Sequence, residues 1–171
     1  MKQRETVYYD TLDSPFGPIR MAADVTGLRR VIFLKGKGSV PQQAGWIREP
    51  GRLALVREQL EAYFAGQLKV FDLALAPKGT PFQERVWKAL RDVPYGETAS
   101  YGEIAVAVDN PRACRAVGLA NGKNPIAIII PCHRIIGASG HLTGYGSGLD
   151  IKAGLLKMEG HRLEGNHCTT V

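Results

Sequence analysis

The feature that most constrains this chain is an apolar run, Ile126–Ile130, that ends in the sequence Pro131-Cys-His-Arg134. An unbroken apolar run of this length is typical of a strand buried on both faces. Proline cannot donate a hydrogen bond to a neighbouring strand, so we expect strand pairing to stop before Cys132. The Gly-rich segment 137–148 follows, and this composition is typical of loops. The sequence therefore predicts a strand that ends in a loop-lined pocket containing a thiol.

Cys132 is next to His133, and this pairing points to chemistry. A neighbouring base or cation lowers the pKa of a thiol, and the thiolate is the nucleophilic form of cysteine. We therefore interpret Cys132 as a nucleophile. A buried cysteine that only fills space is the alternative, and Cys132 taken alone does not decide between the two.

Length and charge narrow the class of protein. With 171 residues and 44% apolar content, the chain can form one domain of ordinary size or two small packed ones. Its 22 basic and 16 acidic residues give a net charge of +6, which favours a polyanionic partner such as nucleic acid.

The three cysteines are widely spaced, without the CxxC or Cys/His spacing of disulfide-rich or zinc-binding domains. The N-terminus lacks the apolar stretch of a signal peptide, and no segment approaches the roughly 20 apolar residues of a membrane span. We expect a soluble protein of a reducing compartment, the cytoplasm, with no metal and no membrane partner.

Alternating patterns and turn residues in the first half predict a small β-meander over residues 7–34. A helix is expected over residues 52–64, with Leu53, Val56, Leu60 and Phe64 on its apolar face. We place the first domain at residues 1–78 and the second at 79–171. The predicted fold is α/β: a small N-terminal antiparallel β-sheet domain with a helix, and a mostly helical C-terminal domain.

Two capping boxes mark helix starts in the second domain. Thr80 and Gln83 form the first, and Phe82, Val86 and Leu90 then share one face of that helix; Ser100 and Glu103 form the second. A third helix is predicted to start at Asn110-Pro111 and to end at Gly122.

The second and third of these helices outline a helix-turn-helix. Ala113, Ala116, Val117 and Ala120 share one face of the third helix, and Arg112 and Arg115 are on another. Small residues make this helix slim, so Arg115 could reach into a base stack. The helix starts around Gly102 and Asn110 offer backbone amides to DNA phosphates.

The chain resembles the 6-O-alkylguanine-DNA alkyltransferases, also called methylated-DNA-protein-cysteine methyltransferases. The resemblance runs from about Thr80 to Gly160 and depends on ordered motifs: Pro81-Phe-Gln83, Val86-Trp87, Pro94-Tyr-Gly-Glu-Thr98, Ser100-Tyr-Gly-Glu103, Arg115-Ala-Val-Gly118, Asn121-Gly-Lys-Asn-Pro125, Pro131-Cys-His-Arg134 and Gly144-Tyr145.

The resemblance implies direct DNA repair. The alkyl group of 6-O-alkylguanine, and by extension 4-O-alkylthymine, would pass from a flipped-out base to Cys132. By the family pattern His133 accepts the thiol proton through a water, Glu159 stabilises the imidazolium, and Asn124 orients the active-site segment. The thioether formed is not a leaving group, so each molecule would act once, as a suicide enzyme.

Further site residues follow from the same resemblance. Tyr101 matches the tyrosine that donates to the leaving base and crowds the neighbouring phosphate, and Arg115 matches the arginine that fills the vacated stack. Tyr145 and Lys152 match residues of the base pocket, and Ser147 replaces a small residue often found there.

No cofactor is implied, because the lesion supplies the alkyl group. The expected partner is double-stranded DNA with alkylated bases, bound by a protein that is monomeric in solution; cooperative binding to DNA is compatible with the sequence.

Two other classes remain open. One is a non-catalytic relative that binds alkylated DNA, although that class lacks the reactive cysteine. The other is a Cys-His hydrolase, which would need an oxyanion hole and no basic helix.

Overall fold

The N-terminal sheet confirms the predicted meander. A computed structural model describes residues 5–36 and 43–169, and its first strands are β1 (Tyr8–Leu12), β2 (Ile19–Asp24) and β3 (Gly27–Phe33), paired antiparallel. A fourth strand, β4 (Ile47–Arg48), pairs with β1 in parallel. The predicted antiparallel sheet therefore also contains one parallel pair, and a two-residue strand has too few positions to give a periodic signal.

Helix α1 (Ala54–Phe64) follows a short 3₁₀ helix, Pro50–Leu53, and contributes to the same apolar core as the sheet. Arg57 of this helix forms an ion pair with the buried Asp10 carboxylate of β1. The predicted apolar face differs at its end: Tyr63 is fully buried, whereas Phe64 is only partly buried. The phenol is tolerated in the core because its hydroxyl has a buried hydrogen-bond partner.

The two predicted domains share one continuous apolar core. β3 connects them through its backbone, because Leu28 bonds with Ala74 and Ala76 of the linker and Val31 bonds with Pro125 and Ala127 of the second half. The parts of the chain on either side of the boundary predicted between residues 78 and 79 therefore pack together.

Both predicted capping boxes are present in the C-terminal half. Thr80 caps α2 (Pro81–Leu90) and Ser100 caps α3 (Tyr101–Ala107). In each helix the side chain of the third helical residue also accepts a hydrogen bond from the backbone amide of the capping residue. On α2 the most buried aromatic residue is Trp87 rather than Phe82, and its indole nitrogen donates to the Ala120 carbonyl at 2.8 Å.

Helix α4 (Cys114–Gly122) packs against α3 and α2, as a helix-turn-helix requires. It begins later than predicted, because Asn110 and Pro111 belong to a turn in which Asp109 has a positive φ of 57°. The inward residues are Val117, Ala120 and Asn121. Ala116, predicted on the same face as Val117, is exposed, so the apolar face of this helix is narrower than expected.

The apolar run Ile126–Ile130 is not a strand. Ile126 forms an isolated bridge with Val31, and the chain then turns tightly, with Ile128 at a positive φ of 72°. The Ile130 amide bonds back to the Ile126 carbonyl at 3.0 Å. The segment is apolar because its side chains are buried, but beyond the bridge with Val31 its backbone groups form hydrogen bonds within the turn. An apolar run alone does not distinguish a buried strand from a buried turn.

The chain after Cys132 completes the fold. Residues Cys132–Arg134 form a 3₁₀ turn, and β6 (Ile135–Ile136) then pairs in parallel with β5 (Ala99–Ser100). Helix α5 (Leu149–Met158) leads to a hairpin of β7 (Arg162–Glu164) and β8 (His167–Thr169). Among the described helices, none combines the length and apolar character needed to cross a bilayer.

Candidate active site

The side chain of Asn124 shapes the segment that leads to the thiol. Its amide nitrogen donates to the Ile130 carbonyl at 2.8 Å and contacts the Ile126 carbonyl at 3.4 Å, and its oxygen accepts from the Ile126 amide at 3.0 Å. These contacts hold both ends of the tight turn and so fix where Cys132 emerges. Asn124 thus lies where an orienting residue is expected.

Cys132 lies at a small cavity of about 80 Å³. Asn124, Tyr145 and Ser147 line this cavity with the thiol. Gly122 and the segment 144–146 also line a broader surface groove, whose other residues include Tyr101, Arg115 and Thr143. The thiol is therefore set behind a groove on the surface of the helix-turn-helix.

The resting thiol is not activated as expected. Burial raises the pKa of Cys132, and the neighbouring side chains of Asn124 and Tyr145 and the charge of Lys152 offset only part of this effect. The Tyr145 hydroxyl is buried beside the thiol without regular hydrogen-bond geometry to any described residue. The expectation of a lowered thiol pKa is wrong because the loss of hydration destabilises the thiolate more than these neighbouring groups stabilise it.

A buried carboxylate organises the residues behind the thiol. Glu159, at the C-terminal end of α5, accepts a hydrogen bond from His133 Nε2 at 2.8 Å. Arg134 binds both oxygens of the same carboxylate, with Nε at 2.9 Å and Nη2 at 3.0 Å. Burial raises the pKa of Glu159, but the contacts with His133 and Arg134 outweigh it and hold the pKa well below its usual range.

His133 is a neutral base in this setting. Burial lowers its pKa, and the contact with Glu159 restores only part of the loss. Because the ionised carboxylate can only accept, we assign the proton of the neutral ring to Nε2. Nδ1 then carries the free lone pair, and it has no hydrogen-bond partner within the described residues.

Tyr101 and Arg115 lie on the groove. Tyr101 is partly buried, and its hydroxyl accepts a hydrogen bond from Thr143 Oγ1 at 2.9 Å. Arg115 is exposed on α4. Gly102 and Asn110 are not among the residues that line the groove or the cavity: Gly102 is in the self-capped first turn of α3, and Asn110 is exposed in the turn before α4.

Lys152 does not line the cavity, contrary to the sequence prediction. Its side chain is fully buried, and its ammonium donates to the carbonyls of Ile135 and Thr143. A buried ammonium needs acceptors, and these two backbone groups draw it behind the pocket wall. Burial lowers the pKa of Lys152 to about 8.

Four further side chains contact the predicted site residues, although the sequence assigned them no role. Tyr63 donates to Glu159 at 2.7 Å, and Arg134 belongs to a motif that was noted only as a pattern. Asn121 contacts the Cys132 carbonyl at 3.4 Å, and Thr143 bonds with Tyr101. Asn121 could have been found as a polar residue at an inward helical position beside Val117 and Ala120.

Two family models cover most of the chain. The model described as 6-O-methylguanine DNA methyltransferase, DNA binding domain, matches residues 81–161, and the model of the ribonuclease-like domain matches residues 7–77. The chain belongs to the 6-O-methylguanine DNA methyltransferase family. The resemblance stated from the sequence motifs is therefore confirmed.

Individual methyltransferases are similar over nearly their whole length. The methylated-DNA–protein-cysteine methyltransferase of Methanosarcina acetivorans is 58% identical over 154 residues, which are 90% of this chain and 99% of the relative. That of Mycobacterium tuberculosis is 53% identical over 156 residues, or 91% of this chain and 94% of the relative.

Solved methyltransferase structures share the fold. A crystal structure of the M. tuberculosis O6-methylguanine methyltransferase has a TM-score of 0.83 at 52% identity, covering 90% of this chain and 93% of that one. M. tuberculosis OGT in complex with DNA gives 0.83 at 53% identity, with 89% and 92% covered. The Pyrococcus kodakaraensis enzyme, 22% identical with a TM-score of 0.58 and 91% and 99% covered, supports the fold alone.

The buried ammonium of Lys152 makes stability depend on pH. An unfolded chain keeps this proton up to about the ordinary pKa of 10.5, whereas the folded protein releases it near 8. Between pH 8 and 9.5 the unfolded state binds more protons, so this group adds about 2 kcal/mol to the free energy of unfolding as pH rises. We expect Lys152→Met to lose that increment in urea unfolding at the two pH values.

Lys157→Met is the matched control, because Lys157 is exposed on the same helix. It should follow the wild-type dependence on pH. An equal pH dependence in wild type and Lys152→Met would contradict the assignment.

Proposed function

We propose that this chain repairs DNA by direct reversal, moving the alkyl group of 6-O-alkylguanine in duplex DNA to its own Cys132. The observation that carries the proposal is the buried thiol at a cavity behind the helix-turn-helix groove, adjacent in sequence to the neutral His133 that is bonded to Glu159. Membership of the methyltransferase family supports the reaction class, and the relatives' names support the cysteine as acceptor.

The first step is deprotonation of the thiol. Because burial keeps Cys132 protonated at rest, the proton has to leave as the sulfur attacks. His133 Nδ1 accepts it, with a water between the two groups, and the ionised Glu159 then faces an imidazolium at Nε2. Arg134 keeps Glu159 ionised, so the imidazolium always meets a negative charge.

The second step is a single displacement. The sulfur forms a bond with the alkyl carbon, the bond between that carbon and guanine O6 breaks, and the electron pair stays with guanine. Tyr101 donates a hydrogen bond to the developing negative charge, and its position on the groove suits that role. The guanine anion takes up a proton from water and becomes unmodified guanine, and the His133 imidazolium returns its proton to the solvent. The other product is a Cys132 thioether, which water cannot displace. The protein therefore acts once and needs no cofactor.

DNA binding places the lesion at the groove. A buried thiol cannot reach a base inside a duplex, so the alkylated nucleotide has to be flipped out. Arg115, exposed on α4 beside the groove, enters the vacated stack, and backbone groups near Gly102 and Asn110 contact phosphates. Tyr145 and Ser147 line the cavity that receives the base, and Lys152 supports its wall from behind.

The remaining expectations belong to the same proposal. We propose that the protein works as a monomer in the cytoplasm on chromosomal DNA, and that 4-O-alkylthymine is a second substrate of the same displacement. Neither the non-catalytic binder nor the hydrolase is favoured, because Cys132 is present and the relatives are named as methyltransferases.

Intact and peptide mass measurements test the reaction directly. After mixing with duplex DNA that contains one 6-O-methylguanine, we expect one added methyl group on the Cys132 peptide, saturating at one per protein. Cys132→Ala should retain DNA binding and gain no methyl group. An unmodified Cys132 peptide with the lesion intact would exclude transfer and turn attention to the non-catalytic and hydrolase functions.

Removing the Arg115 side chain tests whether it fills the stack that the flipped base vacates. We expect Arg115→Ala to weaken binding to the lesion duplex and to slow transfer, each by about tenfold, because the vacated stack is left unfilled. Arg112→Ala is the control, since Arg112 is exposed before α4 but is not among the groove residues. Binding titrations and single-turnover rates at one salt concentration measure both effects. Equal losses of affinity and rate in the two variants would contradict the role of Arg115 in filling the vacated stack.

A further inference from the structure

The Glu159 carboxylate has a donor from the N-terminal half of the chain. Its Oε1 atom accepts hydrogen bonds from three described side chains: Tyr63 at 2.7 Å, His133 at 2.8 Å and Arg134 at 3.0 Å. His133 and Arg134 belong to the same 3₁₀ turn as Cys132, whereas Tyr63 is on α1, 96 positions away from Glu159 in the chain. Tyr63 of the first domain and the base His133 of the second domain therefore bind the same oxygen atom of Glu159.

The Tyr63 hydroxyl is held in place as a donor. Its side chain is fully buried, and its ring packs on those of Phe64, Phe71 and Tyr95 at centroid distances of 5.5, 5.4 and 6.1 Å. Burial raises the pKa of this phenol, and the charge of Glu159 raises it further, so the hydroxyl keeps its proton. An ionised carboxylate only accepts, so the hydrogen bond runs from Tyr63 to Glu159.

We propose that Tyr63 is a positioning residue for alkyl transfer, which orients the Glu159 carboxylate toward His133 and limits the negative charge that the imidazole meets. The inference rests on the proposed function, because it gives Tyr63 a part in the deprotonation of Cys132. It also gives the N-terminal domain a direct part in the chemistry, through one hydrogen bond.

The expected effect on His133 follows from the charges around it. Glu159 and Lys152 approach from α5, Arg134 and Cys132 from its own segment, and the neutral Tyr145 and Tyr63 from the pocket loop and α1. Of these groups, Glu159 alone stabilises the imidazolium. A hydrogen bond from Tyr63 draws charge from the shared oxygen, so its removal leaves Glu159 a stronger partner for a protonated ring.

Tyr63→Phe removes the donor and keeps the ring. We expect the acid limb of the pH profile of single-turnover methyl transfer to move to higher pH by about half to one unit. Since His133 has to be neutral to accept the thiol proton, transfer at pH values on that limb should slow by about three- to tenfold. A variant that has only lost stability would keep the wild-type midpoint.

Tyr95→Phe is the matched control. Tyr95 packs edge-on against Tyr63, and its hydroxyl donates to the Met158 carbonyl at 3.2 Å rather than to Glu159. It loses a hydroxyl from the same aromatic cluster and should keep the wild-type pH profile. Identical midpoints in wild type and Tyr63→Phe, or equal shifts in both variants, would overturn the proposal.

The midpoint of the His133 ring titration, followed by NMR in the DNA-free proteins, gives a second readout. It should be higher in Tyr63→Phe than in wild type and unchanged in Tyr95→Phe. This readout does not depend on transfer, so a wild-type protein without transfer would count against the proposed function while the titration still decides the influence of Tyr63.

Discussion

The structure depends on one buried carboxylate. An ionised carboxylate away from water destabilises a protein by several kcal/mol unless donors surround it, so the fold has to bring such donors to Glu159. Arg134 meets it from the active-site turn and also donates to the Val93 carbonyl at 2.7 Å, which ties the end of α2 to the same point. His133 and Tyr63 complete the set. The hydrogen bonds to Glu159 thus fix α1, α5 and the turn Cys132–Arg134 relative to one another.

The same arrangement separates a stable resting state from a reactive one. Burial keeps the Cys132 thiol protonated and the His133 ring neutral, so Glu159 and Arg134 form the ion pair that faces His133 at rest. A thiolate–imidazolium pair then has to form only when a substrate alkyl group is present to consume the thiolate. A protein that acts once benefits from this restraint, because a permanently ionised thiol would react with other electrophiles.

Local sequence signals predicted much of this molecule. The β-meander and both capping boxes depend on nearest neighbours along the chain, and the structure contains them. The association of His133 with Glu159 was implied by the resemblance, and it agrees with the need of a carboxylate at a helix C-terminal end for a partner. These inferences needed only short-range rules and a resemblance among ordered motifs.

The errors arose where the structure is decided by side-chain contacts and burial that periodic sequence patterns do not reveal. The turn at Ile126–Ile130 is held by the Asn124 side chain, whereas its composition indicates a strand. Burial of Tyr63 instead of Phe64 depends on Glu159, far along the chain, and the place of Lys152 depends on two backbone carbonyls that no pattern reveals. The raised pKa of Cys132 likewise follows from the depth of burial, which neighbouring residues do not encode.

The protonation state of His133 in the resting protein tests the account most directly. NMR of the protein with ¹⁵N-labelled histidine, at pH 7 and without DNA, distinguishes the two neutral tautomers from the imidazolium. The account predicts a neutral ring with its proton on Nε2, bonded to Glu159, and a free Nδ1. An imidazolium, or a proton on Nδ1, would contradict the assignment of His133 as the base.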